Sequence, residues 1–177
     1  TNPVWLFGTD DYIQVPDNDN IDFALTDSFT LMAVNRQWSP FTGGGTVMAK
    51  TDGSSAGYML QNGSGTPAQF SIKVLDGTNV STSPVATKPS GTLNTFFGLR
   101  DVATDTVQQY QNGVAGSTAT DTTTGTSANA GNLYIGRLQP ANANYVDMEG
   151  IAFAIFRRTL TAAEITLITN YYTGRAV

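Results

Sequence analysis

The chain has 177 residues, enough for one domain whose core needs no covalent staples. Its net charge is −5, its nine basic residues are scattered, and it has no Cys and no His. These counts argue against nucleic acid, an anionic membrane surface, disulfides, thiolate metal sites and His-based acid–base or nucleophilic chemistry. Charged residues are only 13% of the total, so solubility rests on Thr, Ser, Asn, Gln and Gly, a style shared by secreted adhesins and viral surface proteins. The longest purely apolar run, Ile151 to Phe156, is too short to insert in a membrane. The chain opens on Thr1 and its element signals begin by Val4, which reads as a mature or excised domain.

Short β-rich runs follow one another from the N-terminus. The predicted strands are 4–7, 12–15, 29–37, 46–50, 57–61, 69–75, 95–101, 107–111, 133–137 and 146–156. Phe29, Leu31 and Ala33 alternate on one face, as do Phe70, Ile72 and Val74. Asp52-Gly53, Asn62-Gly63, Asp76-Gly77 and Asn112-Gly113 are hairpin-type turn dipeptides. Phe41 to Gly45 is a glycine-rich connection. Gly116 to Asn132 is low in apolar bulk, and within it Thr120 to Thr124 is expected to form an edge or outer strand rather than a mobile loop. There is no internal repeat and no linker, so residues 1–177 are read as one domain, an all-β sandwich.

The strand series gives way to a helix near the C-terminus. Thr161 is the expected N-cap, and Glu164 completes a capping box, with Leu160 and Ile165 as the matching hydrophobic staple. Ile165, Ile168 and Tyr172 recur at helical spacing, and Gly174 offers a stop. Arg157 and Arg158, just before the cap, oppose the helix dipole. They are expected to end a strand and pair with nearby acids, Glu164 among them, rather than to form a binding patch.

Several segments together resemble the laminin-G-like, concanavalin A-like jelly-roll domains, a group related to the pentraxins. These are Phe7 to Pro16, Ser28 to Ala33, Val47 to Lys50 with Gly57 to Leu60, Tyr110-Gln111-Asn112-Gly113, Leu133-Tyr134-Ile135-Gly136, and the closing unit Gly150 to Tyr172. The resemblance runs nearly end to end. It implies two curved antiparallel sheets in a jelly-roll sandwich, with one short C-terminal helix packed at an edge. It does not imply one function, since members bind glycans or proteins, hydrolyse polysaccharides, or serve as structural modules.

Each candidate site also has an ordinary structural role open to it. Hydrolases of this group carry a row of acids on one strand. Here only Asp147 and Glu149 alternate, without a third acid, so no catalytic residue is expected. The pentraxin-like calcium pattern that the resemblance implies is incomplete. Asp52 lies near its first position and Gln139 is the remaining residue of its second, so calcium is the one ion the resemblance allows and no cofactor is required. Asp17-Asn18-Asp19-Asn20 alternates oxygens as a calcium loop does, yet reads better as an Asx-rich turn. Glycan binding calls for an exposed aromatic with amides close by. Trp38, beside the glycine-rich loop, and Asn142, Asn144 and Tyr145 are the ligand-contact candidates, whereas Trp5, Phe7 and Phe153 are expected in the core.

The expected function is a non-enzymatic recognition or adhesion module acting on a glycan or protein partner at an extracellular or cell surface. The alternative is a structural decoration of a virus particle or cell-surface assembly, docked to a capsid or fibre protein. A polysaccharide hydrolase ranks below both. Neither nucleic acid nor membrane insertion is expected.

Overall fold

The computed structural model describes residues 4–8, 10–37, 45–51, 56–63, 69–84, 86–87, 91–138 and 145–174. In chain order the strands are β1 (Trp5–Phe7), β2 (Ile13–Val15), β3 (Phe29–Gln37), β4 (Gly45–Thr51), β5 (Ala56–Gly63), β6 (Gln69–Asp76), β7 (Val80–Thr82), β8 (Ala86–Thr87), β9 (Leu93–Asp101), β10 (Thr106–Gln111), β11 (Val114–Thr120), β12 (Leu133–Ile135) and β13 (Met148–Phe156). A 3₁₀ turn at Asp19–Ile21 follows β2, and helix α1 (Ala162–Thr173) closes the chain. One antiparallel sheet runs β1-β13-β3-β9-β10-β11. The other runs β2-β12-β4-β5-β6-β7, with β8 also paired to β6. This is the jelly-roll sandwich with a C-terminal helix expected from the sequence.

The period-two pattern sets the core between the sheets. Phe29, Leu31 and Ala33 from β3 and Phe70, Ile72 and Val74 from β6 are buried in one cluster with Tyr58, Leu60 and Phe96. Each large apolar side chain so buried contributes about 1.5–3 kcal/mol. The sheets approach closely at Gly98, where a Cβ would stand 2.5 Å from Leu60 Cδ2; a larger residue there overpacks the core.

The helix lies elsewhere than expected. It covers the outer face of the first sheet, where Met32, Val34, Phe97 and Leu99 form a second cluster with Leu160, Ile165, Ile168 and Tyr172. The reason is visible in β3. Phe29-Thr30-Leu31-Met32-Ala33-Val34 is apolar at both parities, so both faces of that strand must be covered. Thr95 and Thr169 share a hydroxyl hydrogen bond of 3.0 Å across this contact.

The helix start matches its signature. The Thr161 side chain accepts from the Glu164 backbone N–H, and the Glu164 carboxylate accepts from the Thr161 N–H at 2.9 Å. Arg158 closes on Glu164 at 2.6 Å. That ion pair, reinforced by the Thr161 bonds, holds the Glu164 carboxyl down to about 2. The folded pKa is depressed, so this stabilisation is complete above the ordinary glutamate range and disappears as pH falls toward 2. Thr161→Ala is expected to cost about 1 kcal/mol in a thermal or urea melt; an unchanged midpoint would show that the cap contributes nothing.

Other expectations need correction. Trp5 is not core: it is 48% exposed, because β1 is an edge strand with a neighbour on one side only, and just Phe7 reaches the inner cluster. Asn62-Gly63 is not the β5–β6 turn; both residues still pair, Asn62 with Phe70 and Gly63 with Gln69. Asp76-Gly77 and Asn112-Gly113 do turn, with φ of +51° at Asn112 and +80° at Gly113, the double left-handed conformation of a tight hairpin. The edge strand placed at Thr120 to Thr124 ends at Thr120 and lies upstream as β11. Residues 121–124 leave the sheet because their backbone and side chains are claimed by Asp121, Ser81 and Asp76.

Candidate functional site

One end of the sandwich is closed by loops 16–28 and 121–132. Lys50, fully buried at the end of β4, reaches Asp17 and Asp22 at 2.8 Å each and donates to the Asn129 carbonyl. Asn18 accepts from the Asn20 N–H at 3.1 Å, so Asp17 to Asn20 is an Asx turn, and Asp17 serves Lys50. Arg100, also fully buried, pairs with Asp121 at 2.6 Å. Arg157 donates to the carbonyls of Asp19, Asn20 and Asp22 and lies over the Phe23 ring. Asp76 accepts from the N–H groups of Thr78, Asn79, Thr124 and Gly125. Desolvation opposes its charge, but the N–H bonds of Asn79, Thr124 and Thr78 outweigh it and hold this carboxyl well below the usual range. These charges lock loops together. Among the described residues no three potential ligands gather to hold a metal ion.

An acid of the closing strand is also engaged. Asp147 precedes β13, and Glu149 within it pairs with Arg36 of β3 at 2.8 Å. The pair ties β13 to β3 beside the backbone pairing of Glu149 with Arg36.

An aromatic clamp stands at the β2–β12 pair. The Arg137 guanidinium lies 3.7 Å from the Tyr12 ring centroid and 4.2 Å from that of Tyr134. Pairing of Gln14 with Tyr134 between β2 and β12 brings the two rings within 5.7 Å. Gly136 turns the chain at φ +95°, where a Cβ would strike Phe7 at 2.7 Å. Its N–H donates to Val47 and its carbonyl accepts from Val146, which holds Tyr145 against Arg137. Burial works against the Arg137 charge, but hydrogen bonds to the Tyr145 and Tyr134 side chains outweigh it and raise the pKa. Arg137 is buried, whereas Tyr12 is 43% exposed. The clamp is thus a fixed cation backing an accessible ring.

Of the candidates read from sequence, Tyr145 falls in this clamp. Trp38, Asn142, Asn144, Asp52 and Gln139 lie outside the described residues. Gln37, which precedes Trp38 in the chain, pairs with Met148. Nothing local in the sequence marks Tyr12, Tyr134 and Arg137 as a site; only the β2–β12 pairing joins them. A separate groove of about 580 Å³ lies on the outer face of the first sheet, with Leu99, Tyr110 and Leu160 at its base and Asp101, Gln108 and Thr161 among its polar walls.

A family model described as the concanavalin A-like lectin/glucanases superfamily matches residues 7–166. The chain belongs to this superfamily. Among solved structures it is similar to the botulinum neurotoxin serotype D binding domain, at 12% identity and a TM-score of 0.74, over 94% of this chain and 41% of that one. It is also similar to a botulinum neurotoxin type C structure whose description states that cell entry depends on two ganglioside molecules, at 14% identity and TM-score 0.69, over 96% and 45%. A third is the binding domain of botulinum neurotoxin DC in complex with rat synaptotagmin II, at 14% identity and TM-score 0.69, over 96% and 45%. The chain spans less than half the length of these proteins, and identities this low establish the shared fold alone. No curated protein matches the sequence. Among the described residues no helix is long and apolar enough to cross a membrane.

Proposed function

We propose that residues 1–177 form a non-enzymatic recognition module that binds a glycan at an extracellular surface, across the Tyr12, Tyr134, Arg137 and Tyr145 clamp. The observation that carries this reading is the exposed Tyr12 ring held against a buried guanidinium. The apolar face of a sugar stacks on such a ring, and polar groups at its rim fix orientation. The Arg137 stack limits the freedom of the ring before a ligand arrives, which lowers the entropy lost on binding. Asn142 and Asn144 lie between Arg137 and Tyr145 in the chain, and with Trp38 they are the further ligand contacts this reading proposes. The similar neurotoxin structures bind a ganglioside or a protein, which supports a binding role for this fold. A protein partner is the second reading, favoured by the exposed Trp5 and Leu6 on the neighbouring β1 edge.

A glycan array probed with the purified domain, with calcium and with chelator, tests this reading. Tyr12→Ala is expected to weaken a specific hit about tenfold, or about 1.4 kcal/mol, the scale of one stacked aromatic. Tyr12→Phe should retain it. Loss on chelation would show that a metal takes part in binding. A hit indifferent to both Tyr12→Ala and Tyr145→Ala sinks the clamp as the site. A blank array would favour a protein partner or the structural role on a virus particle or cell-surface assembly.

A further inference from the structure

β10 and β11 depart from regular pairing at one residue. Gln108 faces Thr118 and Tyr110 faces Ala115, so Gly116 and Ser117 of β11 stand against Gln109 alone, a bulge on β11. Gln109 shares the parity of Val107 and so points to the inner face, where it is 2% exposed. Its Oε1 is buried with no hydrogen-bond partner among the described residues. Buried polar atoms are satisfied in roughly 90% of cases or more, so this acceptor requires a reason. Opposite it is Gly116, where a Cβ would lie 2.3 Å from Gln109 Nε2. The missing side chain is what gives the amide its space.

Beside this amide is a slot of about 290 Å³ lined by Gln109, Gln111, Asn112, Val114, Ala115 and Gly116. Small-molecule sites begin at about 300 Å³, so the slot suits a ligand no larger than one ring. Its rim is rigid: Gln111 and Asn112 both donate to Asn94 Oδ1, at 3.3 and 3.0 Å, and Asn112 Oδ1 accepts from the Thr95 N–H at 2.9 Å. No charged side chain is among the described lining.

We infer that this slot binds a single neutral saccharide residue and that the Gln109 amide reads its hydroxyls. A hydroxyl both donates and accepts. The terminal torsion of a glutamine is broad and roughly two-fold, so a half-turn presents either the carbonyl or the N–H of Gln109 to the ligand. Val114 and Ala115 offer an apolar wall to the ring, and the lack of a cation leaves an anionic sugar without a counter-charge. β11 and β7 form the edge of the sandwich opposite β1 and β2. The slot is therefore separate from the Tyr12 clamp and does not rest on it.

The test is a titration of the ¹⁵N-labelled domain with galactose, N-acetylglucosamine and glucuronate, reading the side-chain amide signals. Galactose or N-acetylglucosamine is expected to shift the Gln109 amide saturably, and glucuronate is not. Gln109→Met should abolish the response elsewhere around the slot while raising the thermal midpoint by about 2–4 °C, because a buried unpartnered acceptor is removed. Tyr12→Ala should leave the Gln109 response intact, which separates the two sites. Absence of a saturable shift with either neutral sugar in the wild-type domain overturns the inference, as does an undiminished response around the slot in Gln109→Met.

Discussion

Replacing Asp121 by alanine is expected to lower the unfolding free energy by about 3–5 kcal/mol, a large part of the 5–15 kcal/mol or so that typically holds a domain folded. Arg100 on β9 is fully buried, and the Asp121 carboxylate is its counter-charge at 2.6 Å. The remaining guanidinium donors reach the Ala24 carbonyl at 3.1 Å and the Thr123 hydroxyl at 3.0 Å. The second carboxylate oxygen accepts from Ser81 on β7 at 2.7 Å and from the Thr123 N–H at 3.0 Å. One carboxylate thus joins both sheets and the loop after β11. Alanine removes it and strands a cation that cannot reach water. A double variant, Arg100→Met with Asp121→Asn, should recover most of the loss, because an apolar side chain of similar length needs no counter-charge. Acid adds a second readout. Burial opposes ionisation of Asp121, but hydrogen bonds from Thr123, Arg100 and Ser81 outweigh it and depress its pKa. Its stabilisation is therefore complete above the ordinary aspartate value of about 3.9 and is lost as pH falls through the lower folded value. The urea midpoints of wild type and Asp121→Asn should converge at low pH. An Asp121→Ala variant within about 0.5 kcal/mol of wild type would mean the pair does not hold this end closed.

What the sequence made legible follows from which signals are local. β3 could be bounded at both ends, and the Thr161 cap could be named, because alternation and capping are carried by neighbouring residues. Trp5 reads as core because an aromatic in a strand does so unless its strand is known to be an edge, and edge position depends on a pairing made with β13 far along the chain. Thr120 to Thr124 has the β propensity of a strand, yet Asp121 and Asp76 offer its backbone other partners, and tertiary hydrogen bonding overrode propensity. The resemblance implies a helix at an edge, whereas the apolar outer parity of β3 calls for a cover on that face. The clamp was legible only at Tyr145. Tyr12, Tyr134 and Arg137 lie on separate segments, and a cation between two rings leaves no spacing pattern to read. Lys50 and Arg100 give the same lesson in reverse, since a charged residue in a strand normally signals solvent and here marks the polar closure of the core.

Lys50 allows the sharper test of that closure, because its two acids can be removed in turn. Asp17 and Asp22 each lie 2.8 Å from the buried ammonium, and each is itself partly exposed. Asp17→Asn or Asp22→Asn alone leaves Lys50 one carboxylate and is expected to cost about 1 kcal/mol. The double variant strands a buried cation and should cost about 3–5 kcal/mol, well beyond the sum of the singles. Lys50→Met should fall between, at about 2–3 kcal/mol, because the acids it leaves behind can turn to water while a buried cation cannot. Urea melts of the four variants give the coupling directly. Additive losses would mean the two carboxylates act independently of Lys50, and the closure would then rest on the Asx turn and the loop backbone rather than on a shared buried charge.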